Sequence, residues 1–102
     1  MSDNSVICAA IQLAQRSVLS AKSNQGSCEA EVEAALGAVR YVREALRRDS
    51  DELKSIKFSL IDPTQAIRSL ADPNIAEALF CEGAQRALTN LEELKGICGC
   101  PN

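Results

Sequence analysis

Residues 28–48, CEAEVEAALGAVRYVREALRR, carry the clearest helical pattern in the chain. Their apolar side chains recur at intervals of three and four residues, which places them on one face of an α-helix. That face contains Val32, Ala35, Leu36, Val39, Val42 and Leu46. Acidic residues near the start of the stretch and arginines near its end suit the helix dipole. Gly37 interrupts the pattern. It either loosens the middle turn of the helix or lets a neighbouring helix approach closely, and we prefer the close approach.

The residues before this stretch predict a second helix of the same kind. From Val6, over about 18 residues, apolar side chains again recur at intervals of three and four. The expected buried face contains Ile7, Ala10, Ile11, Ala14, Val18 and Ala21. Turn residues follow at 23–27, SNQGS. Because the connection is so short, the two helices are expected to be antiparallel neighbours.

The residues after Asp49 predict a short helix that Ser50 can cap. Its expected buried face contains Leu53, Ile56, Leu60 and Ile61. The pairs Asp62-Pro63 and Asp72-Pro73 each predict a further helix start, because proline suits the first turn and aspartate caps free backbone N–H groups. The first of these helices is short and buries Ile67 and Leu70. The second is long and runs from Pro73 to Gly96, and its expected buried face contains Ile75, Leu79, Ala84, Ala87, Leu88, Leu91 and Leu94.

These patterns together predict an all-α fold, a small helical bundle of about five helices, three long and two short. No stretch of useful length alternates apolar and polar residues as a strand does. We assign residues 1–97 to the bundle domain and residues 98–102 to a flexible cysteine-containing tail.

The composition excludes several classes of function. The 102 residues include no histidine, so this chain alone cannot build a catalytic triad, a Cys–His dyad or a histidine-ligated metal site. A net charge of −3 provides no basic surface for nucleic acid or for anionic lipids. No apolar run approaches the roughly 20 residues needed to cross a bilayer. We therefore expect neither nucleic acid nor a membrane as a partner.

The N-terminus and the cysteines predict a compartment. Residues 1–4 carry an acid where a secretory signal carries basic residues, and no suitable apolar segment follows, so we expect the chain to act in the cytoplasm. Five cysteines leave one unpaired under any intramolecular scheme, and a reducing compartment would keep them as thiols.

Cys98 and Cys100 form a close pair that suits a soft metal ion. No histidine and no second close cysteine pair completes a four-ligand site. We therefore expect no metal and no cofactor, and we interpret the pair as a mobile terminal dithiol. A thiol-based metal or redox protein is the alternative that this pair leaves open.

The carboxylates do not predict an enzyme. They are numerous, but on predicted helices most of them are explained as solvated faces, caps and partners of lysine or arginine. The Glu-x-x-His pairs of two-metal bundles and a glycine-rich phosphate loop are both missing from the sequence. We expect no catalytic residues and no enzymatic activity.

The end of the helix at 28–48 and the residues after it predict a surface for a protein partner. Tyr41 is the expected amphipathic anchor, and Arg40 and Arg48 are the expected hydrogen-bond donors. An acidic rim is expected to steer and hold the partner through charge pairs. This rim contains Asp49, Asp51 and Glu52. The wide apolar faces leave both a monomer and a homo-oligomer open.

Two segments carry a resemblance to a known family. Residues 38–46, AVRYVREAL, are similar to a Tyr-Ile-Arg-x-x-Leu stretch, and residues 72–79, DPNIAEAL, are similar to Asp-Pro-Glu-Leu-x-x-Ala-Leu. With the N-terminal hairpin and the helical piece at 53–61, their order resembles the small helical immunity proteins that neutralise type VI secretion effectors with NAD(P)+ glycohydrolase activity. The cysteine-bearing tail and the Asp62-Pro63 restart depart from that pattern.

The resemblance implies a bacterial cytoplasmic protein with no catalytic task. Such a protein binds its cognate toxin so that NAD+ cannot enter the toxin's active site or the catalytic residues cannot align. The family has no shared motif from which contact residues could be carried over. The alternative is a non-catalytic helical adaptor or regulatory subunit with another partner. A toxin gene directly beside this one would favour the immunity function.

Overall fold

The computed structural model of the chain describes residues 4–49 and 51–101. These residues form five helices in the order α1 (Asn4–Lys22), α2 (Glu29–Arg48), α3 (Glu52–Leu60), α4 (Thr64–Ser69) and α5 (Glu77–Ile97). The same residues contain no β-strand. The predicted all-α bundle of three long and two short helices is confirmed.

The helical hairpin of α1 and α2 forms one side of the bundle. The two helices pack along each other, α1 also packs against α5, and α4 packs against α5 and α2. On the predicted apolar faces of α1 and α2, Ala10 and Leu36 are half-buried and every other position is buried. All five helices contribute side chains to one continuous core. Burial of these apolar faces is the main stabilising contribution to such a bundle.

The apolar face of α3 is opposite to the predicted one. Leu53, Ile56 and Leu60 are exposed, Ile61 is half-buried, and Phe58 is the buried residue of this helix. The prediction of a buried Leu53–Ile56–Leu60 face is therefore wrong. A helix of nine residues can bury only one side, and here the large aromatic ring of Phe58 occupies the core in place of the aliphatic row.

The last helix begins later than predicted. Asp72 Oδ1 accepts a hydrogen bond from the Asn74 backbone N–H at 2.9 Å, but Ala76 is extended (φ −66°, ψ 145°) and α5 begins only at Glu77. The predicted start at Pro73 is therefore wrong. The shift also changes the buried face, since Phe80 is buried whereas Leu79 is exposed.

The other Asp-Pro pair starts a helix as predicted. Asp62 Oδ1 accepts a hydrogen bond from the Thr64 backbone N–H at 2.9 Å, and α4 begins at Thr64. Ile67 and Leu70 are both buried, as their spacing predicted.

Residues 98–101 pack against the bundle. Cys98 is buried in the core, and its carbonyl oxygen accepts a hydrogen bond from Asn4 Nδ2 at 2.8 Å. Cys100 forms a disulfide with Cys8 of α1. The predicted mobile Cys98–Cys100 dithiol is therefore wrong. Cys8 and Cys100 are bonded in this oxidised form, whereas the prediction of free thiols applies to a reducing compartment. Hydrophobic burial of Cys98 and the covalent bond at Cys100 tie this segment to α1.

The end of α5 explains how the chain reaches Cys8. Gly99 has a positive φ of 70°, the conformation that glycine adopts most easily at the end of a helix. The Cys100 N–H then donates to the Lys95 carbonyl at 2.9 Å, and the Gly99 N–H donates to the Gly96 carbonyl at 3.2 Å. Because this glycine turns the chain back, Cys100 points toward α1. The predicted stop at Gly96 is placed too early, since α5 continues to Ile97.

Gly37 and Gly83 differ in how closely atoms of other helices approach them. A Cβ atom at Gly37 would meet nothing within 4 Å, so the predicted close approach of a helix at Gly37 is wrong. A Cβ atom at Gly83 would lie 3.0 Å from Ser69 Oγ and 3.5 Å from the Ala66 carbonyl oxygen. The close helix contact that a glycine permits is therefore between α4 and α5.

Replacing Gly37 by alanine should raise the free energy of unfolding by about 0.5–1 kcal/mol, because alanine restricts the unfolded chain and meets no obstacle in α2. Thermal unfolding should then shift upward by several degrees. Gly83→Ala is the matched control. It should gain less or lose stability, since Ser69 would have to move and its 2.7 Å hydrogen bond to the Ala66 carbonyl would be disturbed. Equal gains in the two variants would contradict this assignment.

Candidate protein-binding surface

The outer side of α3 carries a row of large apolar side chains. Leu53, Ile56 and Leu60, here called the α3 stripe, are 62 %, 60 % and 80 % exposed. Their spacing of three and four residues aligns them along one side of the helix. Single exposed leucines are ordinary on protein surfaces, whereas contiguous apolar patches mark interaction sites. The α3 stripe is therefore the candidate binding surface.

Two features hold the α3 stripe outward. Phe58 anchors the opposite side of the helix in the core, where it is 2 % exposed. At the start of α3, Asp51 Oδ1 accepts a hydrogen bond from the Lys54 backbone N–H at 3.1 Å, and Asp51 Oδ2 lies 3.6 Å from Lys54 Nζ. Asp51 thus caps the helix, whereas the predicted cap Ser50 lies outside the described residues. The stripe is displayed on a helix that is fixed at its start and on its inner side.

A cleft of about 340 Å³ runs between α3 and the end of α2. Ser55 and Ser59 line it from α3, and Arg43 and Arg47 line it from α2. Arg43 Nη1 lies 3.8 Å from Asp62 Oδ2. Arg47 Nη1 lies 3.5 Å from Glu44 Oε1, and both of these side chains are at least half exposed. The apolar row is thus bordered on this side by a cleft that carries two arginines on its α2 wall and that Leu46 and Phe58 also line.

The predicted partner-binding residues are divided between α2 and the start of α3. Tyr41 is 40 % exposed in the middle of α2, and its spacing of seven residues from Arg48 places the two on one face of that helix. The remaining four are Arg40 on α2, Asp49 after its end, Asp51 before α3 and Glu52 at the first position of α3. Their contribution to binding stays a prediction.

Only part of the predicted acidic rim is assembled. Asp49 and Asp51 line the same shallow hollow of about 300 Å³, together with Lys54. Asp51 is already engaged by the backbone and the side chain of Lys54. Asp49 and Glu52 are the exposed acids of the rim. A partner would therefore meet fewer free carboxylates here than the sequence predicted.

The α3 stripe is not recognisable as a binding surface from the sequence. The spacing of Leu53, Ile56 and Leu60 predicts a buried face, because helices commonly bury such a row. A signal against that interpretation was present in Phe58, a larger apolar residue on the other side of the same short helix. A short helix with apolar residues on two sides must leave one of them exposed.

Other hollows of the described residues are lined by both polar and apolar side chains. One of about 620 Å³ lies between α1 and α5, and Gln15 Nε2 donates across it to Glu92 Oε2 at 2.9 Å. Within residues 4–49 and 51–101, no three His, Cys, Asp or Glu side chains are grouped so that they could hold a metal ion. None of the helices described for this chain is long and apolar enough to cross a bilayer.

The three free cysteines are Cys28, Cys81 and Cys98. Burial raises the pKa of the Cys28 thiol, and Cys28 Sγ donates a hydrogen bond to the Leu70 carbonyl at 3.3 Å. Burial likewise raises the pKa of the Cys98 thiol, and the nearby positive charge of Lys54 offsets part of this increase. Cys81 is exposed. Because Cys98 is buried and Cys100 is bonded to Cys8, these two cysteines do not form the metal-binding pair that the sequence left open.

Alkylation of the folded, oxidised protein near neutral pH should modify Cys81 first. A raised pKa leaves less thiolate at this pH, and burial also blocks the reagent, so Cys28 and Cys98 should react at least about tenfold more slowly. Peptide mass spectrometry after timed exposure to iodoacetamide measures the three rates. Modification of Cys28 or Cys98 as fast as that of Cys81 would contradict their burial. Cys8 and Cys100 should become reactive only after reduction.

Comparison of the chain with protein-family models, with curated proteins and with solved structures found no match.

Proposed function

We propose that this chain is a non-catalytic immunity protein that binds a cognate type VI secretion effector toxin and inhibits it by covering its active site. The observation that carries the binding function is the α3 stripe, an apolar row that is 60–80 % exposed on a helix anchored from its inner side. Covering such a row with a protein partner removes apolar area from water, which is the main driving force of association.

The resemblance supports the class of toxin. Residues 38–46 and 72–79 resemble immunity proteins that act on NAD(P)+ glycohydrolase effectors. Residues 38–46 lie on α2, and residues 72–79 span the connection before α5 and the first three residues of α5. In this proposal the α3 stripe provides the apolar centre of the interface. Tyr41 and Arg48 on α2, together with the exposed acids Asp49 and Glu52, provide anchors and a charged rim.

We place this action in the cytoplasm, as the resemblance implies. Cytoplasmic reductants keep thiols reduced, so the proposal requires the bundle to fold without the Cys8–Cys100 bond. The continuous core supports this requirement, since buried side chains from all five helices contact one another independently of the disulfide.

Purification of the tagged chain from its native cells, followed by an assay of NAD+ consumption by the co-purifying partner, tests the proposal. Addition of the chain should stop NAD+ consumption. Ile56→Glu should weaken inhibition at least about 30-fold, because it places a charge at the centre of the apolar row. Leu79→Glu is the matched control, since Leu79 is 58 % exposed on α5, away from α3. It should inhibit like the natural chain.

Two results would overturn parts of this proposal. Full inhibition by Ile56→Glu would remove the α3 stripe from the interface. A partner that binds the chain through the α3 stripe but consumes no NAD+ would exclude the toxin class and favour the adaptor function. Cys98→Ser distinguishes a thiol-based function from the immunity function. Inhibition of the toxin should be unchanged in this variant if the protein acts by binding.

A further inference from the structure

We propose that, in the absence of another partner, the α3 stripe is covered by a second copy of this chain, in a weak two-fold dimer with the two α3 helices parallel. This inference goes beyond the proposed function and does not depend on it. The same surface would serve both states, so that toxin binding displaces the second copy.

The spacing along α3 is that of a short coiled-coil seam. Leu53, Ile56 and Leu60 follow each other at three and four residues, which matches consecutive a, d and a positions of a heptad. All three are exposed, so their side chains are free to pack against an equivalent row. The seam is two turns long, which limits the apolar area that it can bury.

The charges beside the seam favour a second copy in one orientation. At 3.6 residues per turn, Glu52 and Lys57 lie on opposite sides of the α3 stripe, at a g position and at the e position of the following heptad. Both are exposed, and neither has a salt bridge within the described residues. In a parallel pair, Glu52 of each copy lies opposite Lys57 of the other copy.

An antiparallel pair does not have this complementarity. Reversing one helix about the centre of the seam brings Lys57 of one copy beside Lys57 of the other, whereas Glu52 lies beside the end of the other α3 and faces no lysine. Like charges at such positions are unfavourable.

The area of the seam determines the strength of the dimer. Stable specific interfaces bury about 800 Å² on each partner, and two turns of one helix provide less. We therefore expect a dimer that dissociates on dilution. Such a dimer covers the apolar row when the protein is concentrated and releases it to a partner with a larger interface.

Sedimentation velocity of the full-length, oxidised chain from micromolar to millimolar concentration tests this inference. The mass should rise from that of a monomer toward that of a dimer. Ile56→Glu should remain monomeric throughout the range, whereas the control Leu79→Glu should dimerise like the natural chain. Circular dichroism verifies that each variant is folded.

Charge exchange tests the orientation of the two copies. Glu52→Lys and Lys57→Glu should each weaken dimerisation about tenfold, because each creates like-charged pairs across the seam. The double variant, which exchanges the two charges, should restore it. A monomer at every concentration, a dimer unaffected by Ile56→Glu, or failure of the double variant to recover would overturn the proposed dimer. None of these results bears on inhibition of a toxin, which is measured separately.

Discussion

Serine at both Cys8 and Cys100 should lower the free energy of unfolding by about 4 kcal/mol relative to the oxidised chain. The bond joins residues 92 positions apart, so it closes almost the whole chain into a loop and restricts the unfolded state strongly. It also keeps the segment at Cys98 against α1, where Asn4 Nδ2 donates to the Cys98 carbonyl.

Denaturant unfolding of the natural chain and of the double variant, each with and without reductant, measures this effect. Reductant should destabilise the natural chain by the same amount and leave the double variant unchanged. Cys81→Ser is the control, because Cys81 is exposed and unbonded, and its stability should differ from that of the natural chain by less than about 0.5 kcal/mol. Equal stability of the natural and double-variant proteins would show that the bond contributes nothing.

The same measurement bears on the proposed compartment. The double variant should remain folded at 25 °C, since the core is continuous without the bond. A chain that unfolds when reduced could not act in a reducing cytoplasm. In that case the proposed site of action would have to be abandoned.

Replacing Phe58 by alanine should lower the free energy of unfolding by about 3–5 kcal/mol, the usual cost of removing a buried aromatic ring. Phe58 is 2 % exposed and is the buried residue of α3. Leu60→Ala, two residues away on the same helix, should change stability by less than about 0.5 kcal/mol, because Leu60 is 80 % exposed.

Chemical denaturation of these two variants determines which side of α3 faces the core. Hydrogen exchange adds a local measurement, since the amides of α3 should lose protection in Phe58→Ala more than those of α1 and α2. If Leu60→Ala cost as much as Phe58→Ala, the α3 stripe would belong to the core. The proposed binding surface and the proposed dimer would then both be wrong.

The long helices show what a repeated local pattern can predict. Over the 19 residues of α1 and the 20 residues of α2, apolar positions recur often enough to define one face on each helix. Because the turn between the two helices is short, these faces pack against each other. Asp62 also accepts a hydrogen bond from a free backbone N–H as predicted, because such a contact depends on atoms only two residues away. Fold class and the core of the hairpin were therefore predictable.

The candidate site was not predictable in the same way. The six predicted partner residues were selected from charge and position on α2 and near the start of α3, and the structure shows that Asp51 is engaged as a cap. The apolar residues of α3 were assigned to the core because an aliphatic row is the commoner buried face. Only packing against the other helices selects between that row and Phe58.

A helical bundle is predictable from local patterns, because helix periodicity, turns and caps depend on residues a few positions apart. The lack of histidine chemistry is predictable from composition. The exposure of Leu53, Ile56 and Leu60 on α3 and the bond between Cys100 and Cys8 arise only when the helices pack together. The first feature depends on which distant side chains compete for the same core, and the second depends on which parts of the chain meet. Neither can be predicted from a local sequence pattern.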